Sequence, residues 1–539
     1  MNETAKTLIF VILAALLIAG AMFSRPKLSD FQPEEMIGES LFPQFTDPLA
    51  IKSLEIVKLD AVGERNDFRI TEVNGIWSIP SHDNYPADAK DQMGRVAEAL
   101  TDLKVLEVIQ PEGSGVDVVA FQTQYGVIDS ASDSASFGDG VGISITLGGA
   151  NNATLVNLIV GKVVSRRQSQ DMMNENETSL RYVRIANQSP VYVVNIDPSQ
   201  FSTNFDQWIE KNLLDISTID IKEFFVDEYS ISHDLRSVSA AFTGDITLSY
   251  DASAVGAEKW SLAKWSEFST QNLKYNDRQP DPAKELDTET LDSMVSALND
   301  LKIVSVLKKP TGFASALRQG KPLDGIVLDE ALESAMRETG FWLVPFADLR
   351  NDAQKTKVQL LSNEGDIQLR LKDGIVYHLR FGDLTGTESE IAMEDSLDST
   401  PVMGVNRYLF ITAEFDSALI PLPELQPVPE IPEEGEESEL AELKQMKEMA
   451  ETMNQREQER YDGEIESGKK RATTLSDRFA DWYYVIAEDV YKKIHLTEAN
   501  VFRAKTESSA PGSSWDGEVS GVPFELPDLP IVGFDDEAE

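Results

Sequence analysis

The chain of 539 residues lacks cysteine, has four histidines and is short of positive charge, with 48 Lys+Arg against 92 Asp+Glu. Without cysteine there is no disulfide framework, thiolate nucleophile, Cys-ligated zinc, iron–sulfur cluster or lipid-modified N-terminal Cys. A formal charge of −44 excludes a nucleic-acid footprint, because such a surface repels phosphates instead of displacing their counterions. His82, His233, His378 and His495 are scattered, and none has a second ligand at metal spacing on one helix. His378 falls in the alternating run 375–381 and reads as a strand position, while His82 reads as a lone surface residue in a loop.

Catalytic signatures are equally scarce. There is no G-x-S-x-G elbow, H-E-x-x-H pair or EF-hand loop. The glycines at 138, 140 and 142 precede a strand, the reverse of the strand–loop–helix order of a dinucleotide site. Gly463-x-x-x-x-Gly468-Lys469-Lys470 misses a phosphate loop, since Lys470 stands where a Ser or Thr would ligate magnesium. Asp129, Asp133 and Asp139 share a Ser-rich loop over 129–140 that could hold calcium weakly, but their spacing fits no established loop and reads as solvated. The sequence therefore singles out no catalytic, cofactor-binding or metal-ligating residue, and the expectation is a protein that is not an enzyme.

What is present begins with one long apolar run. Residues 8–23 are sixteen positions without a charge. As a helix they span about 24 Å, a little less than the roughly 30 Å hydrocarbon layer, a shortfall met by local thinning and by snorkelling of Lys6, Arg25 and Lys27. The run reads as an uncleaved single-pass anchor; Ala19-Gly20-Ala21 keeps a cleavable export signal as the alternative. Flanking charge orients it only weakly, because Glu3 offsets Lys6. A lone N-terminal apolar segment ahead of a Cys-free, acidic body points to a bacterial inner-membrane protein with its bulk in the periplasm. Residues 24–50 read as a polar linker.

Self-similarity is the most specific signal. Residues 98–109 (EALTDLKVLEVI) and 296–307 (SALNDLKIVSVL) agree at six of twelve positions. The helices before them carry matching apolar stripes, Met93, Val96, Ala97, Leu100 and Leu103 against Leu291, Met294, Val295, Leu298 and Leu301. Asp88 is the expected N-cap of the first and Asp287 or Thr288 of the second. Strands carrying Trp77 and Trp260 precede the helices, and runs 105–109 and 303–307 read as strands after them. Downstream, LVNLIVG at 155–161 answers VYHLRFG at 376–382, and Arg181-Tyr182-Val183 answers Arg407-Tyr408-Leu409. Phe205-x-x-Trp208 is paired with Phe479-x-x-Trp482, which places a large insertion in the second copy.

That insertion is an acidic arm at 421–475. It opens on PLPELQPVPEIPEEGEESEL, expected as semi-rigid polyproline II. A helix follows with Leu440, Leu443, Met446, Met449 and Met453 along one side, expected either to rest on the body or to dock in a partner's groove. Eleven glutamates fall between Glu430 and Glu459, against three basic residues. Removal of 424–474 is expected to leave the fold intact. Residues 501–539 read as a disordered acidic tail with a candidate linear motif at 523–534.

The strand ending in W-x-[IL], Pro86-Ala87-Asp88, the L-x-D-L-K run, Tyr125-Gly126, the strand-Gly step, Arg-Tyr-Val and Asn212-Leu213-Leu214 together resemble the domain-of-unknown-function 4340 family, over roughly 50–500 apart from the arm. These motifs are structural, and the arm and the 129–140 loop depart from the pattern. The resemblance implies an N-terminal anchor, an exported body and encoding beside gliding-motility-type ABC transporter components.

The resulting expectation is an α+β protein: a tandem duplicated module of antiparallel sheet plus amphipathic helix behind one N-terminal transmembrane helix. Its boundaries are 1–23 anchor, 24–50 linker, 51–216 first repeat, 217–420 with 476–500 second repeat, 421–475 arm and 501–539 tail. The expected role is an extracytoplasmic accessory or interaction subunit of an ABC-type transport or gliding-type envelope system. It would have membrane and protein partners, no cofactor and no nucleic acid. The alternative is an exported ligand-binding module that uses the cleft between the repeats for a glycan, peptide or small solute.

Overall fold

The computed structural model describes residues 36–59, 63–111, 117–132, 140–164, 180–233, 238–320, 323–326, 328–348, 352–386, 405–432 and 437–505. The first unit contains β1 (Ser53–Leu59), β2 (Arg65–Val73), β3 (Ile76–Ile79), β4 (Tyr85–Pro86), helix α1 (Lys90–Thr101), β5 (Val105–Ile109), helix α2 (Val118–Tyr125), β6 (Ile143–Gly148), β7 (Thr154–Val163), β8 (Leu180–Ile185) and β9 (Val191–Asn195). The second opens with β10 (Ile221–His233), β11 (Val238–Tyr250), β12 (Trp260–Ser269), β13 (Lys274–Asp277), β14 (Lys284–Leu286), helix α3 (Thr288–Asn299) and β15 (Ser305–Lys308). It continues through helices α4 (Thr311–Arg318) and α5 (Glu330–Thr339), β16 (Phe341–Asp348), β17 (Asp352–Ser362), β18 (Asp366–Leu371), β19 (Ile375–Thr385) and β20 (Asn406–Phe415). It closes with helix α6 (Glu437–Ala480), β21 (Trp482–Ala487), helices α7 (Glu488–Ile494) and α8 (Glu498–Val501), and β22 (Phe502–Ala504).

Each unit builds a nine-stranded antiparallel sheet, and the two share one strand order. The first runs β4-β3-β2-β1-β6-β7-β8-β9-β5 and the second β13-β12-β11-β10-β18-β19-β20-β21-β15. Two-stranded ladders β14–β22 and β16–β17 occur in the second unit alone among the described residues. The protein is thus a mixed α+β fold.

The helix stripes fold as their spacing dictates. Met93, Val96, Ala97, Leu100 and Leu103, and likewise Leu291, Met294, Val295, Leu298 and Leu301, are all buried against the sheets. Each fully buried large aliphatic side chain contributes about 1.5–3 kcal/mol of transfer free energy. Asp287 caps α3 as expected, accepting from the Thr290 amide. Asp88 does not cap α1, which starts behind Ala89 with no side-chain cap.

The strand-Gly landmarks explain themselves by close approach. Val160 lies opposite Val183, and Phe381 opposite Leu409; both ladders break directly afterwards. A Cβ on Gly161 would strike the Tyr125 carbonyl oxygen, and one on Gly382 the Thr339 carbonyl oxygen. Those carbonyls belong to the ends of α2 and α5, which Gly126 (φ 70°) and Gly340 (φ 79°) terminate in the left-handed conformation. By this criterion α5 is the counterpart of α2. The same step carries a shared arginine: Arg181 donates to the Gly161 carbonyl at 3.4 Å, and Arg407 to the Gly382 carbonyl at 2.7 Å.

Several expectations need correction. Trp482 starts β21, the counterpart of β9, whereas Trp208 lies in a 3-10 turn after β9, so the F-x-x-W pairing is coincidental. The extra chain therefore sits between β20 and β21, where the first unit turns tightly between β8 and β9. Residues 36–50 are not a linker: Leu41, Phe42 and Phe45 lie in the core, and the Leu41 amide donates to the Leu103 carbonyl. The second unit also reaches past residue 500, because β22 pairs with β14. Gly463 and Gly468 lie inside α6, so the near phosphate loop is helix.

One core cluster runs through both units. Phe201, Phe205, Trp208, Leu213 and Leu214 of the connecting segment join it, and Trp208 is fully buried with its indole donating to the Ser202 carbonyl. Side chains of the second unit hold this segment by its carbonyls: Arg478 bonds Asn212, Tyr377 bonds Leu214 and Arg471 bonds Asp215. Among the described residues no helix is long and apolar enough to cross a membrane. The anchor at 8–23, Asp133, Asp139 and the tail from 506 lie outside those residues.

Candidate functional site

Three places combine chemistry with position. The first is a cleft of about 390 Å³ between the units. Asn84, Tyr85, Pro86, Ala87 and Asp88 form one wall. Lys308, Asp477 and Arg478 at the root of α6, and Asp481 and Trp482 where the chain enters β21, form the other, with Glu210 at the junction. Tyr85 meets Trp482 edge-on at 5.0 Å. Arg318 ties down Asp481 at 2.6 Å and Asp477 at 3.7 Å. Lys308 lies over the Trp482 ring at 5.7 Å, and Arg478 donates to a backbone carbonyl, so neither cation is spent on a carboxylate among the described residues. Asp88, freed from capping, faces this cleft.

Next to the cleft, on the opposite side of the same strand end, is a lysine that sequence reasoning missed. Successive residues of an extended chain point to opposite faces, so Lys308 faces the cleft while Lys309 enters the core, 2 % exposed. Its Nζ donates to the Phe479 carbonyl at 2.9 Å, in the last turn of α6, and sits 3.9 Å from the centre of the Phe410 ring. Burial pushes its pKa well below the usual lysine range, and the Asp481 charge opposes that shift without cancelling it.

The second place is a buried charge cluster where β20 meets α7. Glu488 accepts from the Arg407 guanidinium at 2.8 and 3.2 Å, Glu364 lies at 3.5 Å, and the Tyr491 ring stacks 4.0 Å beneath it. Burial is the largest influence and pulls the arginine pKa down, but the Glu488 bonds, Tyr491 and the Glu488 and Glu364 charges together hold it above its ordinary value. His495 stacks on Tyr491, and burial lowers its pKa. The Arg407–Glu488 pair fastens α7 to the sheet, with Glu364 at its half-exposed edge.

The remaining histidines and aspartates do not converge. His82 stacks on Phe205 at 4.2 Å, so it is a junction residue instead of a lone surface one, and burial lowers its pKa. His378 occupies β19 as expected and bonds Glu414 at 3.0 Å. The side chain of His233 lies outside the described residues. Asp129 is engaged by the Ala131 amide and the Ser144 hydroxyl. Among the described residues no three metal-ligating side chains cluster.

The third place is the arm. Helix α6 is 44 residues long, about 66 Å at 1.5 Å per residue. Its root is core: Ala472, Leu475 and Phe479 are buried, Arg471 pairs with Asp373, and Gly468 lies under Phe415. The boundary at 475 therefore cuts through a body helix. Outward from there the segment 421–432 runs back along the helix, pinned where Asn454 accepts from the Gln426 amide at 2.6 Å and donates to its carbonyl at 2.9 Å. The methionines do not rest on the body: Met446, Met449 and Met453 are 60, 65 and 47 % exposed.

Comparison with known proteins adds one finding. The family model for the domain of unknown function DUF4340 matches residues 77–319. That match spans a little under half of the chain. The match begins at Trp77 in β3, crosses the junction and ends just after α4, so it includes both helix stripes and Asn212-Leu213-Leu214 but neither the arm nor Arg407. No curated protein and no solved structure matches the chain.

Proposed function

We propose that this protein is a membrane-anchored, extracytoplasmic interaction subunit of an ABC-type transport or gliding-type envelope system. In this reading a duplicated α+β unit forms the body and residues 8–23 form the anchor. The observation that carries it is the arm, a helix embedded in the core at one end and solvent-exposed along the other, where Leu440 and Leu443 are half-buried but Met446, Met449 and Met453 stand at the surface. Apolar side chains held on a stiff extension are suited to contact with another protein, not to turnover. The Arg407–Glu488 pair of the body is satisfied internally, consistent with a structural role. Affinity capture of the full chain from detergent-solubilised membranes tests the proposal. An ATPase or permease should co-purify, and a protein that stays monomeric without either partner contradicts it.

The cleft favours a second reading, an exported ligand-binding module. Lys308 and Arg478 face a shared cavity with Asp88 and Glu210 against the Trp482 and Tyr85 rings, a lining suited to a zwitterionic ligand such as a short peptide. A thermal-shift screen of envelope peptides and glycans should then stabilise the chain, with the gain lost in Lys308→Ala. No stabilisation by any of them refutes this reading.

A further inference from the structure

We infer that the methionine row of the arm docks into an apolar groove rimmed by Lys and Arg on a partner protein; this rests on the interaction-subunit reading. Met446, Met449 and Met453 recur at i, i+3 and i+7, a single stripe of α6. The adjoining stripe is already occupied, since Ala450 stands at i+4 from Met446 and Asn454 one turn further on. Asn454 is fastened to Gln426, and Ala450 is buried one turn away, so the 421–432 segment covers that face.

The brace adds to the free surface. Leu425 and Val428 lie within two residues of Gln426, at the level of Asn454, and are 56 and 42 % exposed. Two chain segments thus present apolar side chains at one height on the arm. Met has three rotatable bonds and a polarisable sulfur, which suits it to a groove of irregular shape. Because the brace holds the helix, the row is ordered before contact and loses less entropy on docking.

Charge selects the occupant. Between Glu430 and Glu459 there are eleven glutamates and three basic residues. Glu439, Glu442, Glu448 and Glu451 lie on the same stretch of α6 as the row. A second copy of this arm would bring the same charge against itself, and an anionic lipid surface would repel it as well. The chain's own tail is acidic too, so it is a poor cover. A basic-rimmed protein groove satisfies both the apolar row and its acidic border.

The test uses the full chain with a photo-crosslinking residue in place of Met449, alongside a Met446→Ser/Met449→Ser/Met453→Ser variant. Crosslinked peptides from the partner should combine apolar residues with flanking Lys or Arg. Capture should weaken between about 0.1 and 1 M salt, as the Debye length falls from about 10 to 3 Å. The triple variant should capture the partner at least about tenfold less while melting at an unchanged temperature, since the three side chains are exposed. Crosslinks only to lipid or to a second copy overturn the inference, as does undiminished capture by the triple variant. If the wild type captures a transporter component and the triple variant captures it equally, the docking surface is wrong but the interaction subunit stands. If the wild type captures none, that reading fails first.

Discussion

Replacing Lys309 by Met isolates a charge from its packing. The two side chains have similar length and volume, so Lys309→Met keeps the contacts with Phe410 and Tyr483 and removes the ammonium. Two opposing effects follow. The Phe479 carbonyl loses its donor, which costs about 1–3 kcal/mol for a buried acceptor. The desolvation of a cation disappears, which is worth several kcal/mol where the charge has only partial compensation. Their balance changes with pH. The folded-state pKa of Lys309 is depressed, so above it the unfolded chain binds more protons than the folded one, and wild-type stability rises with pH up to the ordinary lysine pKa near 10.5. The slope approaches about 1.4 kcal/mol per pH unit inside that window. Urea melts of both proteins at stepped pH from 7 to about 10 measure the difference, and buried tyrosines such as Tyr377, raised to about 12, cancel because both proteins contain them. Wild type should gain on the variant as pH rises. Parallel curves would mean that Lys309 titrates as in water and that the α6 root is not closed around it.

Other outcomes follow from the same contacts. Gly382→Ala puts a methyl on the Thr339 carbonyl, and Gly161→Ala puts one on the Tyr125 carbonyl; each should lower the melting temperature by several degrees, whereas Ala at exposed Gly463, inside α6, should not lower it. Arg407→Met leaves Glu488 buried without its partner and should cost about 3–5 kcal/mol in chemical denaturation, with part recovered by adding Glu488→Gln. Excision of 424–464 with a short Gly-Ser bridge should shift the melting temperature by less than about 2 °C, whereas excision of 424–474 should cost far more, because the longer cut removes Arg471 and Ala472.

The sequence was most legible where local periodicity carries the information. The helix stripes at 93–103 and 291–301 are fixed by 3.6-residue spacing, and the strand-Gly landmarks by a close approach that tolerates no side chain. Long-range pairing was less visible. Nothing near Trp482 marks it as the edge partner of β15, and an F-x-x-W resemblance to the Trp208 turn misplaced it. Leu41, Phe42 and Phe45 are too few in a polar stretch to announce a core segment, although all three are buried and a backbone bond ties Leu41 to Leu103. Lys309 was hidden because Leu307-Lys308-Lys309 looks like a strand running out to solvent, and only the tertiary fold turns one lysine in. The arm was legible in composition but not in its exposure, since whether a Met row is covered depends on where the helix is rooted.

Whether this protein acts by contact through its arm is decided most directly by quantitative capture from detergent extract with the full chain and with the 424–464 excision. The account predicts that ATPase or permease components co-purify with the full chain and drop at least about tenfold with the trimmed one, at equal folded protein. Equal recovery of those components by a folded, armless chain would contradict it.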